Sequence, residues 1–164
     1  SSVLDELLRE RLAAKARPFS VIKARILTMV STLKEELGAR LCVMSNASGE
    51  EVHAWGSCEL ARLFDAAVFS CDVGFLKPEP AIYGLGCEAL GSVASQTVFI
   101  GDGGAGELVG AREAGLRPYW ATWFLDRWPA AIRPAVPSPG FPRLAEPGQV
   151  FRPAQLTVDC PTFS

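Results

Sequence analysis

The sequence predicts an α/β fold in which helices cover an open parallel β-sheet. Short continuous apolar runs alternate along the chain with longer segments whose apolar residues recur every three or four positions. The first pattern is typical of strands buried on both faces, and the second of helices that bury one side. Strands that alternate with helices are joined by right-handed crossovers, which gives a parallel sheet.

The elements follow in order from these patterns. A helix is predicted over residues 21–37, where Gly38 ends it, and a buried strand over residues 41–44. Ser48 is the predicted N-cap of the next helix. The remaining predicted elements are a strand at 67–70, a helix at 81–90, a strand at 97–100, a helix at 107–114 and a strand at 118–122. Residues 129–150 are rich in proline and predict an ordered surface loop or tail without regular elements or chemistry.

The composition indicates a globular protein and excludes several kinds of partner. With 164 residues, 49% of them hydrophobic, the chain is long enough for one domain with a core. A net charge of −2 and no run of basic residues argue against nucleic acid as a partner. No apolar run reaches the roughly 20 residues of a membrane span, and no signal segment opens the chain. The five cysteines form no C-x-x-C pair, which predicts reduced thiols in a cytoplasmic protein.

Polar residues follow three of the predicted strands, at the sheet edge where α/β proteins bind ligands. Ser45 and Asn46 follow the first strand and suit an anionic oxygen, and the structural alternative is that they cap the next helix. Lys77 lies in a proline-framed loop after the second strand, where it is either a fixed cation or a solvated one. Chance rarely aligns such groups on one edge, so we predict a shared site.

Two acidic residues complete this predicted site. Asp102 and Glu107 flank a glycine-rich turn after the third strand, and their oxygens suit a hard cation such as Mg²⁺. The structural alternative is that Asp102 opens the turn and Glu107 favours the positive end of the following helix. An aromatic stretch at residues 119–128 predicts core or interface packing, with a substrate-lining or dimer-contact role as the alternative.

Three segments together resemble the second, third and fourth motifs of the haloacid dehalogenase-like superfamily, in order and spacing. They are LCVMSN at residues 41–46, GFLKPEPAIY at 74–83 and VFIGDGGAGELVGAREAG at 98–115. The resemblance, to the phosphoglycolate phosphatase-like branch, implies a Rossmann-like core at residues 18–128. It also implies the remnant of an inserted helical cap at residues 1–17, and leaves a proline-rich C-terminal segment at 129–164.

The resemblance implies a Mg²⁺-dependent hydrolase that acts on a small phosphorylated metabolite. Asp102 would hold Mg²⁺ with support from Glu107, Lys77 would offset charge at the nucleophile, and Ser45 and Asn46 would bind the phosphoryl group. The family's first motif, D-x-D-x-T, carries the nucleophilic aspartate, and this chain has no two aspartates spaced two apart. The nearest imitation, at residues 159–162, has Pro161 in place of the second aspartate. We therefore expect the nucleophile in a segment N-terminal to Ser1, and the 164-residue chain alone to be inactive.

Two other functions compete with the phosphatase. A 2-haloacid dehalogenase fits the residues around Ser45 and Lys77, but that branch carries Ser-Asn where this chain has Gly101-Asp102. A non-catalytic phosphate-binding protein would keep the pocket without a nucleophile. The sequence predicts neither the individual substrate nor the oligomeric state.

Overall fold

The structure is a computed structural model that describes residues 2–137 and 140–152. Within these ranges the strands form two parallel groups, which confirms the predicted α/β fold with parallel pairing. The first group is β1 (Cys42–Ser45) beside β2 (Ala66–Phe69), and the second runs β3 (Val98–Gly101), β4 (Arg117–Ala121) and β5 (Arg143–Leu144). Each of the four predicted strands lies within one residue of its expected position.

Six α-helices in the described ranges connect and cover these strands. They are α1 (Val3–Ser20), α2 (Ala24–Ser31), α3 (Gly49–Val52), α4 (Ser70–Val73), α5 (Pro80–Ala89) and α6 (Glu107–Glu113). A π-helical turn, Thr32–Glu36, continues α2, so the helix predicted over 21–37 begins three residues later than expected. Ser48 caps α3 through a capping box with Glu51, as predicted, but the helix is only four residues long. No helix in the described part of the chain is long and apolar enough to cross a membrane.

The two strand groups are not hydrogen-bonded to each other. Within the described residues, β1 pairs only with β2, and β3 pairs only with β4, so each leaves one edge without a strand partner. All four residues of β1 are half-buried, and Ile100 in β3 is 38% exposed, although both strands read as fully buried in sequence. The edges therefore look like those of inner strands that lack a neighbour.

Side-chain packing joins the groups into one core. Ile82 and Tyr83 of α5 are fully buried, and they pack with Val68 of β2, Phe99 of β3 and Leu108 of α6 in a single cluster. The Tyr83 and Phe99 rings meet edge to face, with their centroids 5.5 Å apart. Helices α5 and α6 thus hold the two parts of the sheet together.

The proline-rich segment corrects one prediction, because it contributes a strand. β5 adds to β4 through two backbone hydrogen bonds, from Trp120 N to Pro142 O and from Thr122 N to Leu144 O, each 2.9 Å. Proline lacks an N–H, but its carbonyl still accepts, so a proline beside a short edge strand does not prevent pairing. Leu144 and Val150 are buried in a second core cluster with Leu33. The imitation of the first motif at residues 159–162 lies outside the described residues.

Candidate active site

The polar residues singled out in the sequence lie at the carboxyl ends of β1 and β3 and in the loop before α5. Ser45 is the last residue of β1, and Asn46 follows it. Asp102 directly follows β3, and Glu107 begins α6. The N-cap of α3 is Ser48, so Ser45 and Asn46 are free of the capping role that was their structural alternative.

Asn46 fixes the main chain of Lys77. Its side-chain oxygen accepts a hydrogen bond from Lys77 N at 2.7 Å, and its amide nitrogen donates to Lys77 O at 2.8 Å. This pair of bonds imitates a strand ladder and sets the loop against the end of β1. The sequence interpretation gave Asn46 to a phosphoryl group, whereas in the structure its amide is engaged by Lys77.

The ammonium of Lys77 lies between the two strand groups. It donates to Glu107 Oε2 at 2.5 Å and approaches the carbonyl oxygen of Met44 at 3.5 Å. The Phe99 ring lies beneath it, with the centroid 5.8 Å from Nζ. The side chains of Lys77 and Glu107 are only 13% and 6% exposed, so this ion pair is largely shielded from water. Lys77 is therefore a fixed cation and not a solvated one.

Glu107 also braces the glycine-rich turn. Its Oε1 accepts from Gly103 N at 3.1 Å, while Oε2 is taken by Lys77. Asp102 Oδ1 accepts from Gly104 N at 2.7 Å, and among the described residues no hydrogen bond engages its second oxygen. The two carboxylates thus differ, since both oxygens of Glu107 accept a hydrogen bond and one oxygen of Asp102 does not.

Helices α5 and α6 hold Glu107 and the Lys77 loop in place. The hydroxyl of Tyr83 donates to the carbonyl oxygen of Glu107 at 2.8 Å, and burial, with the nearby Glu107 charge, raises the pKa of Tyr83. Gly110 allows α6 to pass close to the loop of Lys77. A Cβ there would lie 2.6 Å from Pro78 Cβ and 2.7 Å from Pro78 O.

Three positioning residues were missed by sequence reasoning. Ser70 accepts from Ala47 N at 3.0 Å and donates to Ala47 O at 3.1 Å, which fixes the loop after β1. Tyr83 and Trp120 anchor the carbonyl oxygens of Glu107 and Asp102. The only signal in the sequence is position, because each lies at the start of a helix or the end of a strand that borders the site.

The oxygen donors at this site are of the type that binds a hard cation. Mg²⁺ prefers oxygen ligands and takes one or two carboxylates besides water. Among the described residues, no group of three or more His, Cys, Asp or Glu side chains is placed to hold a metal. Asp102 offers one oxygen, and each oxygen of Glu107 accepts one hydrogen bond and keeps a second lone pair. The two carboxylates therefore suit Mg²⁺ together with water, and a further carboxylate would strengthen the site.

The arrangement presents a fixed ammonium, an acidic oxygen and the end of β1 around the unpaired edges of β1 and β3. Such a constellation suits an anionic group whose charge changes during reaction. The sequence contains no D-x-D pattern. The described residues therefore supply charge and orientation, but not the attacking aspartate that the resemblance implies.

Comparison with known proteins gives the family. The family model described as haloacid dehalogenase-like hydrolase matches residues 4–115. Bifunctional epoxide hydrolase 2 of Rattus norvegicus is 30% identical over 118 residues, which cover 69% of this chain and 20% of the relative. The chain therefore spans about a fifth of that relative's length.

Solved structures share the fold. A HAD phosphatase from Thermococcus onnurineus superposes with a TM-score of 0.57 at 20% identity, over 76% of this chain and 54% of the other. A 2-haloacid dehalogenase from Pseudomonas syringae pv. Tomato gives 0.55 at 24% identity, over 82% and 54%. Both kinds of enzyme share the fold, so the likeness does not choose between their reactions. By its family match, its motifs and its parallel α/β core, this chain belongs to the haloacid dehalogenase-like hydrolases.

Proposed function

We propose that this chain is part of a Mg²⁺-dependent phosphatase that hydrolyses a small phosphorylated metabolite through an aspartyl-phosphate. The observation that carries the proposal is Asp102, an acidic residue with a free oxygen at the carboxyl end of β3. A metal-independent dehalogenase has no use for an acidic ligand at this position. The proposed compartment is the cytoplasm, where Cys42, Cys58, Cys71 and Cys87, which the structure describes as free, would stay reduced.

The nucleophile is proposed to lie on a strand between β1 and β3. Both strands keep an edge without a partner, and Lys77 and Glu107 meet at the carboxyl end of that gap. An aspartate at the end of an inserted strand would face Lys77. It would also add a further carboxylate to the cation site beside Asp102.

The proposed reaction has two steps. An oxygen of the aspartate on the proposed strand attacks phosphorus, the ester P–O bond breaks, and the leaving oxygen takes a proton. Water then hydrolyses the acyl phosphate. Bound Mg²⁺ would neutralise charge on the phosphoryl oxygens and would be held by Asp102. Lys77 offsets the charge of the attacking carboxylate and the phosphoryl group, Glu107 and Asn46 hold Lys77 in place, and Ser45 donates to a phosphoryl oxygen.

The dehalogenase remains a second candidate for one reason. The ammonium of Lys77 is already held by Glu107, so the described residues fix this cation in place without a metal. A reaction at carbon that displaces halide needs the cation of Lys77 but no magnesium.

One assay separates these functions in the full-length protein. Release of p-nitrophenol from p-nitrophenyl phosphate is measured with Mg²⁺ and with EDTA, beside halide release from a 2-haloacid. We expect phosphatase activity that EDTA abolishes, and a loss of several powers of ten in kcat for Lys77→Ala, because that charge acts mainly in the transition state. Lys23→Ala, which removes an exposed lysine outside the site, should leave kcat unchanged.

Three results would contradict the proposal. Halide release in EDTA without phosphatase activity would assign the dehalogenase. Phosphate binding without any turnover would assign a non-catalytic binding protein. Equal affinity for Mg²⁺ in the parent protein and in Asp102→Asn, measured by calorimetry, would remove Asp102 from the cation site.

A further inference from the structure

Trp120 contacts the candidate cation site from a neighbouring strand. It lies near the end of β4, in register with Gly101 of β3, the residue before Asp102. Its indole N–H donates to the main-chain carbonyl oxygen of Asp102 at 2.9 Å. The aromatic stretch that sequence patterns assigned to packing therefore sends a polar contact into the site.

The position of Trp120 is itself fixed by β5. Its main-chain N–H donates to Pro142 O at 2.9 Å, and the Arg143 guanidinium lies 5.9 Å from the centroid of its ring. Arg143 is held in turn, because its Nε donates to Thr122 Oγ1 at 2.8 Å. The main chain of Trp120 is thus held by Pro142, and its ring lies beside Arg143 of β5.

The turn after Asp102 is packed under the same indole. Gly103 has a φ of 89°, and a Cβ there would lie 2.7 Å from Pro137 Cγ and 3.3 Å from Trp120 Nε1. Gly104 N donates to Asp102 Oδ1 at 2.7 Å. Trp120 therefore fixes the main chain of Asp102. The turn beside Trp120 holds Oδ1 of Asp102 through Gly104 N, and this bond sets the orientation of the carboxylate and of its second oxygen.

We propose that Trp120 is a positioning residue for Asp102, holding its main chain so that the free carboxylate oxygen is presented to a divalent cation. The inference rests on the proposed function in taking Asp102 as the cation ligand. It also gives the proline-rich segment a role, since β5 and Pro137 hold the indole and the turn together. Residues that hydrogen-bond to a metal ligand influence metal affinity, and their loss lowers that affinity about 10–100-fold.

The test compares Trp120→Phe with Trp123→Phe in the full-length protein. Phenylalanine keeps an aromatic ring but lacks the N–H donor. Trp123→Phe makes the same change in size at a ring that packs against Phe124, 5.6 Å between centroids, and against the core cluster of Leu33 and Leu144. We expect Trp120→Phe to weaken Mg²⁺ binding at least about 10-fold by calorimetry. The KM for the ester at saturating Mg²⁺ should stay constant. Trp123→Phe should bind Mg²⁺ as the parent does.

A second measurement uses the parent protein and needs no variant to fold. The Nε1–H of Trp120 should be protected from hydrogen exchange in the parent protein, and its resonance should shift when Mg²⁺ is added. Fast exchange of this proton, or unchanged Mg²⁺ affinity in Trp120→Phe while Asp102→Asn binds weakly, would overturn the inference and leave the phosphatase standing. Unchanged affinity in Asp102→Asn would overturn both.

Discussion

Lys77–Glu107 and Arg11–Glu50 are ion pairs of the same length, 2.5 Å, in different surroundings. The side chains of the first pair are 13% and 6% exposed, and those of the second are 65% and 36% exposed. A shielded charge that loses its partner cannot recover the lost interaction from water, whereas an exposed one can. Equal geometry therefore predicts unequal consequences of substitution.

We expect Glu107→Gln to destabilise the full-length protein by about 3–5 kcal/mol, because it leaves the ammonium of Lys77 shielded and unpaired. The double variant Lys77→Met/Glu107→Gln should lose less stability than Glu107→Gln alone, since both charges are then gone. The measurement is urea unfolding of the single and double variants as a cycle.

The Arg11–Glu50 pair is the control for this cycle. Arg11→Met and Glu50→Gln should each change stability by less than about 1 kcal/mol. The stability losses of the Lys77 and Glu107 variants could instead add in the double variant. That result would show that the two side chains are not energetically coupled, and it would contradict a stabilising shielded pair.

At the scale of elements, the approach of α6 to the loop before α5 decides where Lys77 sits. Gly110 is the point of closest approach, and its neighbours are main-chain and ring atoms that cannot rotate away. A Cβ would also meet Tyr83 Oη at 2.8 Å. The helix and the loop can stay in contact only while this position has no side chain.

We expect Gly110→Ala to cost about 1–3 kcal/mol and to lower phosphatase kcat, because relieving the overlap moves Pro78 and with it Lys77. Gly84→Ala is the matched control, since Gly84 is also inside a helix, α5, but has no atom within 4 Å of a new Cβ. Gly84→Ala should raise the free energy of unfolding by at most about 1 kcal/mol, because alanine has the higher helix propensity. Thermal unfolding and kcat of both variants make the comparison, and equal stability gains would mean that α6 does not abut the loop.

The elements also show how far the sequence reaches. The strands at β1 and β3 were predictable because runs of four apolar residues at 41–44 and three at 98–100 leave few alternatives. β5 was not, because two residues carry no period, and the strand forms only where Trp120 N and Thr122 N of the neighbouring strand need acceptors. The candidate residues of the site were named from their positions after strands. Sequence could not predict that Glu107 pairs with Lys77, because side-chain direction across 30 residues depends on how α5 packs against α6.

At the scale of the whole molecule, the unpaired edges of β1 and β3 set a limit on the chain by itself. Each edge offers a row of amide and carbonyl groups, and an unsatisfied buried group costs about 1–3 kcal/mol against a net stability of about 5–15 kcal/mol for a typical domain. Helices α5 and α6 join the strand groups by side-chain packing, which does not satisfy these groups.

We expect the 164-residue chain alone to unfold at a lower temperature and less cooperatively than a longer protein with the proposed N-terminal strand, and to lack phosphatase activity. A longer protein whose first-motif aspartate is changed to Asn separates the two roles of that strand, since it should regain the sharp transition but not the activity. Calorimetric melting of the three proteins is the measurement. A sharp transition for the short chain at the temperature of the long one would show that no strand belongs between β1 and β3.

The brevity of β5 bears on how copies of this protein meet each other. Its two residues stand between Pro142 and Pro147, so the outer edge gives an approaching strand little to pair with. The inner edges of β1 and β3 are four residues long and open. The proposed strand on the same polypeptide would reach them at an effective concentration of about millimolar, far above that of a second molecule. We therefore expect copies of the protein to associate through β1 and β3 only where that strand is missing.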